Sequence, residues 1–336
     1  MVPRPPPLAP DHQERRDVRQ HSGYRVRRSR VSKTAHRGTS EILSKGIILA
    51  GGAGTRLYPA TRVSCKPLLA IYDKPMIYYP LSTLMLLGIT EILLISTPEE
   101  MPRFERLFGD GHGLGLNISY ASQPTVQGIA QAFLIGEEFI GGSPVALILG
   151  DNIFCGPHRH LRAARRAFRR GATVFACCVD NPREFGVVEL DRQGKAVGIE
   201  EKPETPKSNH AVTGLYLYDA QVVSIARSLR PSARGELEIT DVNNVYLRNE
   251  QLEVVQLGGD ITWLDVGTFE NMLEAANVVA GVEKKQGRKT ACVEEIAYRM
   301  KLIDHRQVQR LLDDMVDGSY RQYLARVVRE IDRETR

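Results

Sequence analysis

Cysteine is scarce in this chain: five of 336 residues, at positions 65, 155, 177, 178 and 292, an odd number with no C-x-x-C spacing. That pattern argues against a disulfide-stapled scaffold or a zinc knuckle. It fits a reducing compartment, so the expected localisation is cytoplasmic. The eight histidines contain no H-E-x-x-H, and His158 and His160 fall in an Arg-rich stretch that reads as a solvated face. No apolar run approaches the roughly 20 residues of a membrane-spanning helix. The N-terminal region has no apolar stretch of roughly 7–15 residues, so it does not read as a secretory leader. There is no repeat of the solenoid kind, and no hexapeptide periodicity near the C-terminus. Nor is there an obvious Ser–His or Cys–His pairing for covalent catalysis.

Charge is unevenly spread. The chain carries 45 Lys/Arg and 40 Asp/Glu, a formal +5, but residues 1–45 alone hold eleven basic and four acidic residues. The remaining 291 residues therefore sit at −2. A net-acidic body is not a nucleic-acid surface, and no nucleic-acid or membrane partner is expected. Residues 1–43, rich in Arg and Pro (PRPPP, RVRRSR), cannot bury enough apolar surface to offset their ordering entropy. They read as a disordered basic tail, with a polyanion-binding arm as the competing reading.

The body itself is 42% apolar over the whole chain, ample for a core. Continuous apolar runs at 46–50, 91–96, 117–121, 145–149 and 173–179 read as strands buried on both faces. Helical stretches at 76–88, 99–108, 127–139 and 158–170 separate them. This order predicts an α/β fold: a Rossmann-like, doubly wound, mostly parallel sheet. From 185 the pattern alternates and turns at Asp191–Gly194, the signature of a β-hairpin. A strand follows at 215–219, then a helix at 220–229. Beyond Trp263 the chain reads as helical, at 269–286, 293–302, 305–314 and 319–333.

The first strand runs into GGAGTRL. The third glycine of a dinucleotide fingerprint is missing, and so is the Gly-Lys-Ser/Thr of an ATPase loop. What remains is a glycine turn able to present N–H groups to an anion, with Arg56 as a fixed cation. Lys66 lies ten residues on. Asp151 ends the strand at 145–149, and Asp265 stands between a strand-like segment and a helix start. In doubly wound sheets ligands bind at the carboxyl ends of strands, and an acid there beside phosphates suits Mg²⁺. Helix capping is the plainer role for either Asp. Lys202, before Pro203, is held at a strand exit where it can meet a second anion.

Gly46–Leu57, Lys66-Pro67, DKPMIYYP at 73–80, Leu149–Asn152, GVVE at 186–189, Glu201-Lys202-Pro203, VTGLY at 212–216, GELEITD at 235–241 and Trp263–Thr268 together resemble the sugar-nucleotide pyrophosphorylases. The resemblance covers about 46–333, and its YDKPMIYYPLSTLM and PSARGELEITD stretches are similar to the thymidylyltransferase branch. It implies a nucleotidyltransferase domain at 44–268, with a nucleotide part at 44–152, a sugar-phosphate part at 153–268, and a C-terminal helical region at 269–336. It also implies a reaction of dTTP with glucose 1-phosphate, assisted by Mg²⁺, giving dTDP-glucose and pyrophosphate for deoxysugar synthesis, in a homotetramer. A UTP-dependent enzyme and a non-catalytic sugar-nucleotide sensor are the alternatives.

The roles implied are these. Gly51, Gly52, Gly54, Thr55 and Arg56 would hold the triphosphate, with Leu49 flanking the nucleoside, Gln123 on the base edge and Gly128 beside the deoxyribose. Arg56, Lys66 and Lys202 would be the catalytic cations, Lys202 gripping the sugar phosphate. Asn152, Gly186, Glu201, Val212 and Tyr216 would line the sugar pocket, and Asp151 and Asp265 would hold the metal. Three local departures from the branch pattern stand out: Lys66-Pro67-Leu68-Leu69-Ala70 in place of Lys-Gln-Leu-Leu-Pro, Thr125-Val126-Gln127-Gly128 where Pro-Asp-Gly is usual at the base-pocket rim, and Phe154-Cys155-Gly156 in place of Phe-Tyr-Gly.

Overall fold

The structure, a computed structural model, describes residues 43–52 and 54–334. The basic tail expected at 1–43 lies outside the described residues except for its last position, Leu43, which is buried.

Thirteen strands occur among the described residues, in chain order: β1 Lys45–Leu49, β2 Ala70–Ile71, β3 Lys74–Pro75, β4 Glu91–Ser96, β5 Asn117–Ser122, β6 Val145–Leu149, β7 Asn152–Cys155, β8 Ala172–Cys178, β9 Gly186–Leu190, β10 Ala196–Glu201, β11 His210–Tyr218, β12 Leu252–Gln256 and β13 Thr262–Asp265. Nine of them form one sheet. Its path runs β10-β9-β11-β6-β1-β4-β5, with β8 branching off β11 and β12 pairing on to β8. The half around β1 is parallel, β1 pairing in register with β4 on one side and β6 on the other. Its strands are buried on both faces, as continuous apolar runs require. The sheet is mixed because β11 runs antiparallel to β6, β8 and β9.

β11 is the seam of the molecule. Its register with β8 breaks between Val212 and Tyr216. At that irregularity its later residues, Leu215–Tyr218, pair with β6, while Ala211 pairs with Val187 of β9. The two halves read from the sequence thus share one continuous sheet. The hairpin expected from 185 is β9–β10, turned by Asp191, whose side chain accepts the N–H groups of Gln193 and Lys195 at 2.9 and 2.8 Å.

A second, small sheet pairs β7 with β13, placing Asp265 opposite Asn152. No periodicity signalled it, because β7 is four residues long and follows β6 after only two. The helix expected over 127–139 starts later, at Gln131, and breaks at Gly136 into Gln131–Ile135 and Glu137–Ile140. Gly128 explains the late start: its φ is +97, and a Cβ there would lie 2.4 Å from the Leu237 carbonyl oxygen. The helix Ile239–Arg248 was also not anticipated.

The C-terminal helices Phe269–Gln286, Val293–Arg299, His305–Asp314 and Ser319–Glu334 appear where the sequence places them. The apolar faces of the last three join the same core as β1 and β4: Val293, Ala297, Val308, Leu324, Val327 and Val328 cluster with Ile48, Ile92 and Leu84, while Phe269–Gln286 packs Ala275 and Val279 against Ile71, Met76 and Tyr79. Asp304 opens one of these helices with a reciprocal capping box to Gln307. Leu324→Ala, at a fully buried position, is expected to cost about 2–5 kcal/mol in urea unfolding without splitting the transition in two.

Candidate functional site

The carboxyl ends of β1 and β6 open into two adjoining cavities, one of about 360 Å³ and one of about 190 Å³. Arg56, Ile129, Leu149 and Asp151 line both. The larger cavity takes in every residue assigned above to the nucleotide, together with Lys66. The smaller takes in every residue assigned to the sugar phosphate, together with Asp265. Positions from 49 to 265 in the chain therefore meet around one junction.

The turn after β1 is built from left-handed backbone. Gly52 has φ +110 and Gly54 φ +56, and a short 3₁₀ turn, Thr55–Leu57, carries Arg56 outward. The Arg56 guanidinium lies 4.0 Å from Glu184 and close against Gly267, where a Cβ would come within 2.9 Å of it. A side chain at Gly267 would therefore require the exposed end of Arg56 to move aside. At Gly51 a Cβ would stand 2.3 Å from the Gln123 Oε1.

Gln123 is 1% exposed. Its Nε2 donates to Gln131 Oε1 at 2.7 Å, and Gln131 is in turn held by the Gln127 backbone N–H at 3.0 Å. The carboxamide is thereby oriented, and its Oε1 has no hydrogen-bond partner. A buried acceptor without a donor costs about 1–3 kcal/mol. It faces a cavity in which an N–H of a ligand can supply what the protein does not.

At the junction Lys66 Nζ is ion-paired with the Asp151 carboxylate. Asp265 stands beside Asp151 at the end of β13, and the Val266 N–H donates to the Asp151 carbonyl at 3.0 Å. Burial, and then the Asp151 charge, push the Asp265 carboxyl well above the ordinary range, against the pull of Lys66 and Arg56. Two strand-end carboxylates side by side, beside Lys66 and Arg56, are a donor set that can hold a divalent, oxygen-ligated metal completed by phosphate oxygens.

Asn152 connects this acid pair to the smaller cavity. Its Oδ1 accepts from the Gly214 N–H at 2.9 Å and the Trp263 Nε1–H at 2.6 Å, and its Nδ2 donates to Asp151 Oδ1 at 3.0 Å. Gly214 lies in the irregular stretch of β11, and a Cβ there would sit 2.6 Å from Asn152. Across the cavity, Glu201 ends β10 and accepts from Thr240 Oγ1 at 2.5 Å. Lys202 follows with φ +45, a left-handed conformation unusual for a side-chain-bearing residue. Its N–H is tied to the Phe185 carbonyl at 3.0 Å. Burial and the Glu201, Asp265 and Asp151 carboxylates raise the Tyr216 hydroxyl, which stays protonated as a donor.

The sequence reading omitted Glu184 and Phe185, Thr240 and Asn243, and Glu236. Glu184 and Phe185 precede β9; Thr240 and Asn243 share one face of the helix Ile239–Arg248; Glu236 lines the larger cavity. The three-residue spacing of Thr240 and Asn243 was visible, but only once that segment is known to be helical does it place both on one face. Arg234 was likewise passed over; it reaches Glu238 at 2.8 Å and Glu201 at 3.3 Å.

Residues 45–281 match the family described as Nucleotidyl transferase. Among similar proteins, glucose-1-phosphate thymidylyltransferase of Neisseria meningitidis is 54% identical over 288 residues, 85% of this chain and 100% of that protein. The thymidylyltransferase of Mycobacterium tuberculosis is 53% identical over 280 residues, 83% of this chain and 97% of its own length. Among solved structures, a Bacillus anthracis protein described as a candidate glucose-1-phosphate thymidylyltransferase, in complex with sucrose, is 43% identical. It aligns with a TM-score of 0.65 over 70% of this chain and 94% of its own. A UDP-glucose pyrophosphorylase complexed with UDP-glucose is 25% identical, with a TM-score of 0.64 over 71% and 99%.

Gly214→Ala is expected to displace Asn152 and to lower stability by about 1–3 kcal/mol, read as a drop in Tm.

Proposed function

We propose a specific reaction for this chain, which belongs to the nucleotidyl transferase family: transfer of a thymidylyl group from dTTP to glucose 1-phosphate, giving dTDP-glucose and pyrophosphate. Identity above 50% over essentially the whole length of the relatives supports the activity and its sugar. The observation that carries the mechanism is the meeting of two anion-ready cavities at Arg56 and Asp151.

The larger cavity takes the nucleotide. The Gly51–Gly54 turn, Thr55 and Arg56 receive the triphosphate, and Leu49 borders the nucleoside. The unpartnered Gln123 Oε1 accepts the N3–H that thymine and uracil carry and cytosine lacks. The smaller cavity takes the sugar phosphate, with Lys202 on its phosphate and Asn152, Gly186, Glu201, Val212 and Tyr216 around the hydroxyls. A phosphate oxygen of the sugar phosphate then attacks the α-phosphorus in line with the departing pyrophosphate. That step needs positioning and charge neutralisation rather than a side-chain nucleophile. Lys66 neutralises charge at the α-phosphate, and Arg56 neutralises the leaving group. Asp151 and Asp265 would hold the divalent cation, taken here as Mg²⁺, which would supply Lewis-acid stabilisation of the phosphate oxygens.

The product suits a deoxysugar pathway. No helix among the described residues is long and apolar enough to cross a membrane, and we place the enzyme in the cytoplasm as a homotetramer.

Pyrophosphate release from glucose 1-phosphate is expected to be fastest with dTTP, slower with UTP and negligible with CTP. One methyl is worth about 1–3 kcal/mol in a pocket, so UTP retains side activity; equal or faster turnover with UTP overturns the base assignment. Because the cation must displace a proton from Asp265, the Mg²⁺ concentration for half-activation should rise as pH falls from about 8 to about 6. Asp265→Asn should lower turnover by about 10²–10³ and abolish that pH dependence; a near-normal rate removes the metal role.

A further inference from the structure

Among the described residues, seven buried side-chain atoms have no hydrogen-bond partner, and those of Gln123, His158, Arg165, Asn243 and Arg299 belong to residues that line cavities. Native interiors leave few such atoms, and one that borders a cavity points to a ligand. Asn243 is the case whose ligand class is already defined by its cavity, and its Nδ2 has no place in the scheme above.

Asn243 lies on the first turns of the helix Ile239–Arg248 and is 1% exposed. It lines the sugar-phosphate cavity with Thr240, one turn before it. Its Oδ1 accepts from the Tyr218 hydroxyl at 2.6 Å. Tyr218 is fully buried, with Phe133 edge-on at 5.3 Å and Tyr246 stacked at 5.6 Å, so the hydroxyl has little freedom to move. Burial raises it far above the ordinary tyrosine range and keeps it a donor. With Oδ1 facing the Tyr218 hydroxyl, the amide's other edge, Nδ2–H₂, is left for the cavity. A structural role alone needs only the Oδ1 contact; an aspartate or a serine would serve it without stranding a donor.

We infer that Asn243 is a sugar-recognition residue: its Nδ2 donates to a hydroxyl oxygen of the glucosyl group, and Tyr218 is the positioning residue that holds it. The inference rests on the sugar-phosphate assignment of the smaller cavity. It adds a neutral amide donor to a pocket already lined by the Tyr216 hydroxyl, Lys202 and the Glu201 carboxylate. Donors and acceptors at separate points read hydroxyl position as well as hydroxyl presence, and a site built to hydrogen-bond a hydroxyl discriminates strongly against analogues lacking it.

The test compares the full chain with Asn243→Leu and Tyr218→Phe, using dTTP and Mg²⁺ with glucose 1-phosphate and its 2-, 3-, 4- and 6-deoxy analogues. In the parent, one deoxy analogue should suffer a penalty that Asn243→Leu abolishes. For glucose 1-phosphate itself KM should rise about 10–100-fold in Asn243→Leu, with KM for dTTP within about 2-fold of the parent. Tyr218→Phe should move the same KM in the same direction by less, with the same analogue affected. Unchanged KM and unchanged discrimination across all four analogues in either folded variant would overturn the assignment. So would a parallel rise in both KM values, which marks a purely structural role. If Asn243→Leu does not fold, Tyr218→Phe carries the test. A parent that turns over no glucose 1-phosphate refutes the parent reaction instead, which keeps the two failures apart.

Discussion

One buried carboxamide, Asn152, ties together the three pieces of chain that make this site. Through its hydrogen bonds to Gly214, Trp263 and Asp151 it joins β11, β13 and the end of β6. Asn152 is itself 1% exposed and its bond from Gly214 is fully buried, a setting in which a hydrogen bond is stronger and costly to leave unmade. The register break in β11 follows from the same demand: Gly214 must offer an N–H sideways, and only a residue without a Cβ can approach Asn152 that closely. The small β7–β13 sheet sets Asp265 opposite Asn152 and so brings the second carboxylate to the first. The acid pair and the division into two cavities both depend on this amide being where it is.

Around it the charges are arranged in a graded way. Cations reach in from flexible or strained backbone: Arg56 from a glycine turn, Lys202 from a left-handed residue after β10. The anions sit on the ends of rigid strands. Incoming phosphates therefore meet side chains that can adjust, while the acids are held still by the sheet. Gly51 leaves the space that the buried, hydrogen-bonded carboxamide of Gln123 occupies.

The strands of the parallel half were legible because burial on both faces writes itself as an unbroken apolar run, and Ile47, Leu93 and Leu147 are indeed fully buried. The C-terminal helices stand where the chain reads as helical, and the Asp304 capping box that opens one of them is what the structure adds. Local signals failed where tertiary contacts dictate the backbone. Gly128 delays a helix because Leu237, more than a hundred residues later, occupies the space. β7 is too short to have a period, and β12 was hidden because its residues are only partly buried at the sheet's edge. For the site, charged and glycine motifs were readable because phosphate chemistry requires those residue types. Asn243 and Thr240 were not, since a polar residue on an unrecognised helix looks like surface until the fold turns it inward.

The ion pair between Lys66 and Asp151 has a thermodynamic corollary. With no ligand present each neutralises the other, so the resting pocket carries its opposite charges as an internal salt. On the proposed roles, a triphosphate would compete for Lys66 and a divalent cation for Asp151. Whichever arrived first would break the pair and relieve the second of that cost, so nucleotide and cation would each raise the affinity of the other by the same factor. Such cooperativity would be reciprocal and would need no movement of the backbone, and it would make the nucleotide–cation complex, rather than either component alone, the species this pocket admits.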